Sequence, residues 1–276
     1  MASVLQCGRY TLDLERPRIM GVVNLTDDSF SGDGCGDDIQ AAIAHGLRLV
    51  AEGADILDIG AESTRPGSSA VAPEQELGRV LPVLEGLMDC GVPLSVDTTK
   101  PVVMSAALQA GADMINDVGA LCLPGALEVV ATSHAAVCMM HMQGEPETMQ
   151  DAPAYHDVVG EVTDFLAARV RAAAAAGIPS GRIVIDPGFG FGKTLAHNLK
   201  LLHHLDELRR AGAPLLVGLS RKSMLGRLTG RSAGDRVHAS VVAALLAAQR
   251  GARILRVHDV AATRDTLAVL NAVEEA

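Results

Sequence analysis

The sequence predicts a (β/α)8 barrel, and three observations carry that prediction. Short β-branched apolar runs recur along the chain. Nearly every run ends on a polar residue, and each is followed by an Ala/Leu-rich stretch with helical spacing. The chain has 276 residues, against about 250 for a typical barrel of this kind. It therefore reads as one domain over 1–276.

Residues 1–17 read as a short N-terminal extension, a hairpin capping the barrel floor. Ile19–Val23 then ends in Asn24, and the helix Asp37–Glu52 follows, with Ile39, Ile43, Leu47 and Val50 on one face. Ile56–Ile59 leads into Gly60 and the helix Pro73–Met88. Pro93–Val96 ends in Asp97; the next helix, Pro101–Ala110, carries its proline in the first turn, where the missing N–H costs nothing. Met114 and Ile115 run into Asn116 and Asp117. Val137–Met140 ends in His141 and precedes the helix Tyr155–Ala176. Ile183–Ile185 ends in Asp186, ahead of Leu195–Arg210. Leu215–Val217 opens onto Ser220–Lys222, where Ser220 or Ser223 is expected to cap a helix, and Asp235–Arg250 follows. Ile254–Val257 ends in His258, and Asp259–Val273 closes the ring. In such a barrel the strand C-termini gather at one face, where the active site sits. The polar residues ending these runs are thus expected to converge.

Composition narrows the function classes. Hydrophobic residues make up 49% of the chain and aromatics only 2%, so the core is built from Ala, Val, Leu and Ile. A net charge of −10 argues against a nucleic-acid surface. The five cysteines are scattered without a CxxC pair, which points to a reducing cytoplasm. No stretch reads as a signal peptide or a membrane span.

Among the converging residues, Asp97 and Asp186 stand out. One such Asp reads equally well as a helix cap. Two on different strands, beside Asn116, match a planar fork of N–H donors such as a 2-amino-pyrimidinone presents, because an ionised carboxylate only accepts. Lys222 could donate to a ring carbonyl or nitrogen, and Arg221 reads as a structural cation. Arg256 and His258, alternating across Val257, put two basic groups toward the interior. That is costly unless an anion is bound, and with Arg65 they could clamp a phosphate or pyrophosphate; a structural salt-bridge network is the alternative. Pro187–Thr194 superficially matches a phosphate-binding loop but has Pro187 where that loop needs Gly. Its glycines suit close backbone approach to a flat ligand, covered by Phe189 or Phe191. His141 has no metal-ligand partner at the required spacing and reads as structural.

Several segments in order resemble the dihydropteroate synthase family of pterin-binding TIM barrels. They are Met20–Thr26, Asp28–Ser31, Asp58–Gly60, Glu62–Gly67, Ser95–Thr98, Ile115–Asp117, Met140–Gly144, Asp186–Lys193, Ser220–Ser223 and Arg256–His258. The resemblance implies a cytoplasmic transferase of folate biosynthesis, a sulfonamide target. Such an enzyme joins 6-hydroxymethyl-7,8-dihydropterin pyrophosphate to p-aminobenzoate, giving 7,8-dihydropteroate and pyrophosphate.

By resemblance, Asp97, Asn116, Asp186 and Lys222 hold the pterin edge, with Met140, Phe191 and Gly218 lining the pocket. Thr64, Pro66, Phe189, Ser223 and Phe30 border the p-aminobenzoate site. Arg65, Arg256, His258 and Asn24 meet the pyrophosphate, and Asn24 also ligates a Mg2+. Lys222, Asp97 and Arg256 are the residues implied to carry catalysis, and a homodimer is the implied assembly. The chain departs from the family in its first loop, where Asp27 replaces a proline and the Gly positions shift, and at Ala61, where Gly is usual. Those changes bear on loop closure and p-aminobenzoate affinity. Two other readings share the barrel: a methyltetrahydrofolate:corrinoid methyltransferase, which needs no pyrophosphate clamp, and a non-catalytic pterin-binding paralogue.

Lys222→Ala and Asp186→Asn are each expected to lose most turnover while circular dichroism shows an unchanged fold. Near-normal rates in both variants would contradict the pterin-edge assignment.

Overall fold

The computed structural model describes residues 4–26, 38–63, 71–145 and 148–276. Phe30, Thr64, Arg65, Pro66 and Asp27 lie outside the described residues. Strands β1 (Val4–Cys7) and β2 (Tyr10–Asp13) pair antiparallel as a hairpin. Eight parallel strands then close on one another. They are β3 (Arg18–Asn24), β4 (Ile56–Gly60), β5 (Leu94–Asp97), β6 (Met114–Asp117), β7 (Ala136–Met140), β8 (Ile183–Asp186), β9 (Leu215–Val217) and β10 (Ala252–Val257). β10 pairs with both β9 and β3, which completes the ring.

Alternation along the strands separates two apolar layers. Ile19, Val23, Leu57, Ile59, Leu94, Val96, Val137 and Met139 face outward and pack against the helices. Met20, Ile56, Met114, Cys138, Val184, Leu216 and Ile254 fill the lower interior, where Leu5, Cys7 and Leu14 of the N-terminal segment close the floor as expected. Asp113 fastens the hairpin. Arg9 donates to its Oδ1 through the backbone N–H and Nε, both at 3.0 Å, and to its Oδ2 through Nη2 at 2.8 Å. With apolar side chains filling the lower barrel, the polar residues are left at its C-terminal mouth.

The helices fall close to their expected bounds. α1 (Ile39–Ala51) is capped by Asp38, α2 (Pro73–Leu87) and α3 (Pro101–Gln109) begin on their prolines, and α5 (Val158–Ala175) is capped by Asp157. Between α3 and α5, α4 (Ala126–Ala131) is too short to leave a periodic signal; it follows Gly125, whose φ of 89° suits glycine. The stretch expected as one helix from Leu195 divides into α6 (Leu195–His203) and a 3-10 turn, Leu205–Ala211. α7 (Ser223–Thr229), α8 (Val237–Gln249) and α9 (Val260–Glu274) complete the order. α7 has no side-chain cap, contrary to expectation: Ser223 is already its first residue, and the Ser220 hydroxyl is engaged by His258.

Candidate active site

The upper interior holds acids and bases where the lower interior holds hydrocarbon. Asp97 and Asp186 end their strands and Asn116 lies one residue before the end of β6, all with little exposure, and Met140 is buried at the end of β7. Arg256 joins two of these acids. Its Nε donates to Asp58 Oδ2 at 2.6 Å and its Nη2 to Asp97 Oδ2 at 2.9 Å. Asn116 Nδ2 donates to the same Asp58 oxygen at 3.1 Å.

This network corrects the expectation that an inward Arg256 needs a bound anion. Two carboxylates already offset the burial of its guanidinium, and they raise its pKa although desolvation opposes that. Burial pushes the Asp97 carboxyl up to about 7; the Arg256 guanidinium draws it down, and neighbouring Asp58 adds to the rise. Asp186 is raised by burial too, opposed by Lys222 and by the Gly188 N–H that donates to its Oδ1 at 2.7 Å. Burial lowers Lys222 to about 8, with Asp186 acting the other way.

The segment 186–193 is a backbone platform, and its hydrogen bonds account for its shape. Lys222 Nζ donates to the Phe189 carbonyl and lies 4.5 Å from the Phe191 ring centroid, a cation–π distance. Gln150 donates to the Gly190 carbonyl, and Gly190 N–H donates to Asn198 Oδ1 at 2.8 Å. Lys193 Nζ reaches the Gly188 and Phe191 carbonyls, each at 2.9 Å, and His141 Nδ1 at 3.0 Å. Lys193 is thus a buried crosslink between the loops after β7 and β8 rather than a phosphate ligand. His141 is its structural partner, as expected. Gly188 sits at φ 67°, and a Cβ there would lie 1.9 Å from the His141 carbonyl oxygen; only glycine allows these loops to touch.

Phe189 and Phe191 part company on this platform. The Phe189 ring is 0% exposed within the outer core. Its backbone carbonyl accepts from Lys222. Phe191 is half-buried, with its ring facing Lys222 Nζ. Gly218 is buried after β9, beside the aliphatic stem of Arg256, where an added Cβ would lie 3.8 Å from Arg256 Cβ.

On the adjacent rim, after β9 and β10, the His258 N–H donates to Ser220 Oγ at 3.2 Å, and His258 Nδ1 lies 3.0 Å from the same oxygen. If the hydroxyl donates to Nδ1, the imidazole proton stays on Nε2. Arg221 is structural, as expected: at φ 57° it makes a two-point contact with Asp259, its Nη2 2.6 Å from Oδ1 and its Nε 3.1 Å from Oδ2. Ser223 is exposed at the start of α7, and Asn24 is partly buried at the end of β3. Asp58, Lys193 and Lys100 are the residues that sequence reasoning passed over. Lys100 Nζ donates to Glu62 at 2.5 Å and to buried Glu76 at 2.7 Å, while Glu62 Oε1 accepts the Val71 N–H at 3.0 Å. This ties together residues 62 and 71.

A model of the pterin binding enzymes matches residues 20–258. The chain is 53% identical over 277 residues to a dihydropteroate synthase of Neisseria meningitidis serogroup B, covering 98% of this chain and 97% of that protein. It belongs to the dihydropteroate synthase family of pterin-binding enzymes. The Escherichia coli K12 enzyme is 45% identical over 263 residues, with 95% and 93% covered. Among solved structures, a Yersinia pestis dihydropteroate synthase in a sulfonamide drug complex superposes with a TM-score of 0.96 at 46% identity, covering 99% of this chain and 100% of that one. The Xanthomonas albilineans enzyme with 4-aminobenzoic acid gives 0.92 at 56% identity, with 100% of both chains covered. Among the described residues no helix is long and apolar enough to cross a membrane.

The Asp97 carboxyl is expected to titrate near pH 7 in carbon-13 NMR of aspartate-labelled protein. Arg256→Met should move that midpoint upward, because the guanidinium is what holds it down. A midpoint in the ordinary range of about 4, or no upward movement in the variant, would contradict the network's electrostatics.

Proposed function

We propose that this chain condenses 6-hydroxymethyl-7,8-dihydropterin pyrophosphate with p-aminobenzoate to give 7,8-dihydropteroate and pyrophosphate. The observation that carries the reading is the set of acceptors and one ammonium at the barrel mouth. Asp97, Asn116 and Asp186 are buried or nearly so, and Lys222 stands over the platform beside Asp186. Such a set is complementary to a flat heterocycle with N–H donors along one edge and a carbonyl or ring nitrogen for the lysine. Relatives support the second substrate and the product: Xanthomonas albilineans enzymes have been solved with 4-aminobenzoic acid and with 7,8-dihydropteroate.

The chemistry follows from the charges. The aryl amine is a weak nucleophile, so the barrier falls chiefly through departure of pyrophosphate, with cationic character at the exocyclic carbon shared into the electron-rich dihydropterin. The carbon–oxygen bond breaks, the amine nitrogen bonds to that carbon, and the nitrogen then loses a proton. Buried Asp97 and Asp186 hold the ring and favour its developing positive charge. Phe191, Met140 and Gly218 shape the pocket, Ser223 lies at the rim where p-aminobenzoate enters, and Thr64, Pro66 and Phe30 belong to its site. Arg256 offers the edge that the acids leave, and His258 Nε2, with Arg65, completes the contacts to the leaving group.

Asn24 is the residue that would hold Mg2+. Its amide oxygen is the hard donor the ion prefers, and one protein ligand is enough for an ion that keeps waters and phosphate oxygens around it. When bound, Mg2+ supplies charge neutralisation on the pyrophosphate. The exposed apolar side chains Leu228, Val242, Val269 and Val273 on α7, α8 and α9 support a homodimer, since a self-association face would bury such groups.

The test is pyrophosphate release from the dihydropterin pyrophosphate with Mg2+, with and without p-aminobenzoate. Release that requires p-aminobenzoate, yields dihydropteroate and falls at least about tenfold with excess EDTA is expected. Pterin binding without release would contradict the reading and favour a binding paralogue.

A further inference from the structure

Asp58 is a buried acid to which neither the sequence nor the reaction above gives a part. It lies in the middle of β4, between Leu57 and Ile59, and is 0% exposed. Its Oδ2 accepts from both Arg256 Nε and Asn116 Nδ2. Its Oδ1 is one of three side-chain atoms among the described residues that are both buried and without a hydrogen bond, with Glu76 Oε1 and Ser95 Oγ. A buried carboxylate with an orphan oxygen is a poor device for stability, since an apolar side chain of that size fills the space without the desolvation cost. Its value lies in what it orients.

Two orientations follow from the acceptor-only chemistry of a carboxylate. Asn116 must turn its NH2 toward Asp58, which sends its carbonyl oxygen the other way. That oxygen makes no hydrogen bond among the described residues, and it is absent from the fully buried, unpartnered set; an incoming molecule can therefore reach it. Arg256, held at Nε, has its guanidinium plane fixed from one side whether or not Asp97 also holds Nη2.

We infer that Asp58 is a positioning residue for the pterin: it fixes Asn116 as a hydrogen-bond acceptor toward the ring and anchors Arg256 when Asp97 turns to the ligand. The inference rests on the functional reading above. Its consequence is selectivity. A heterocycle must bring an N–H to Asn116, and a ring with an acceptor at that place meets a fixed carbonyl and is rejected.

The experiment measures binding of 6-hydroxymethyl-7,8-dihydropterin by calorimetry to the full chain and to two variants, Asp58→Leu and Asp58→Asn. Both hydrogen bonds fall on one oxygen of Asp58, so the amide oxygen of Asp58→Asn can still accept from Arg256 and Asn116. That variant should bind within about threefold of the natural chain, a difference well under 1 kcal/mol. Asp58→Leu fills the space without an acceptor, releases the Asn116 amide and the Arg256 plane, and should weaken binding about tenfold or more. Unchanged binding by Asp58→Leu, or an Asp58→Asn no better than Asp58→Leu, overturns the inference. If Asp58→Leu does not fold by circular dichroism, Asp58→Ala takes its place with the same expectation; if neither folds, Asp58 is a stability residue and the inference is overturned. A natural chain that binds no pterin counts against the function itself, whereas natural binding with an indifferent Asp58→Leu counts against Asp58 alone.

Discussion

One guanidinium shared between two acids organises the mouth of this barrel. Arg256 reaches from β10 to Asp58 on β4 and Asp97 on β5, and Asp58 passes the constraint on to Asn116 on β6. Four strands are thereby tied by side chains on the inside as well as by backbone on the outside. The charges would be expensive in isolation, and together they leave the site short of positive charge: three acids (Asp58, Asp97, Asp186) surround two cations (Arg256, Lys222). Burial, with neighbouring Asp58 adding to it against the pull of Arg256, is why Asp97 sits near the neutral range instead of staying fully ionised. The imbalance suits a site whose substrate develops positive character at the carbon under attack.

The rest of the mouth depends on a second device, a loop whose carbonyls from Gly188 to Gly192 all accept hydrogen bonds. Lys193 is buried among neutral acceptors, and burial lowers it to about 7 while the nearby Asp186 carboxylate supports its charge. Its partner His141 is pushed down to about 3 by burial and by that ammonium, so the imidazole stays an uncharged acceptor. The loop that results presents the Phe189 carbonyl to Lys222 and the Phe191 face beneath it. Lys222 is thus held in place by a carbonyl and an aromatic face before any ligand arrives. This is preorganisation rather than folding on binding.

How much of this was legible in the sequence depended on where each residue's signal lay. Residues at or next to strand ends, such as Asn116, Asp97 and Asp186, announced themselves because a polar residue stops an apolar run, and barrel topology then brought them together. Asp58 sits inside such a run, flanked by Leu57 and Ile59, so its charge was masked by the pattern that revealed the strand. Phe189 and Phe191 are two residues apart in one loop, and only packing decided that one ring enters the core and the other stays at the pocket. Lys193 follows a glycine-rich loop and so invites a phosphate reading, yet its partner His141 lies on another strand's loop, beyond any local spacing. Arg256 was read as needing an anion because its carboxylate partners lie far away in the sequence.

The central claim is that Asp97 is shared between Arg256 and the ligand while Asp58 keeps Arg256 in place. A crystal structure with 6-hydroxymethyl-7,8-dihydropterin bound tests it most directly. The account predicts that Asp97 turns its carboxylate to the ring and that the Arg256–Asp58 and Asn116–Asp58 hydrogen bonds persist. A bound ring that leaves Asp97 untouched, or that breaks Arg256 away from Asp58, would contradict it.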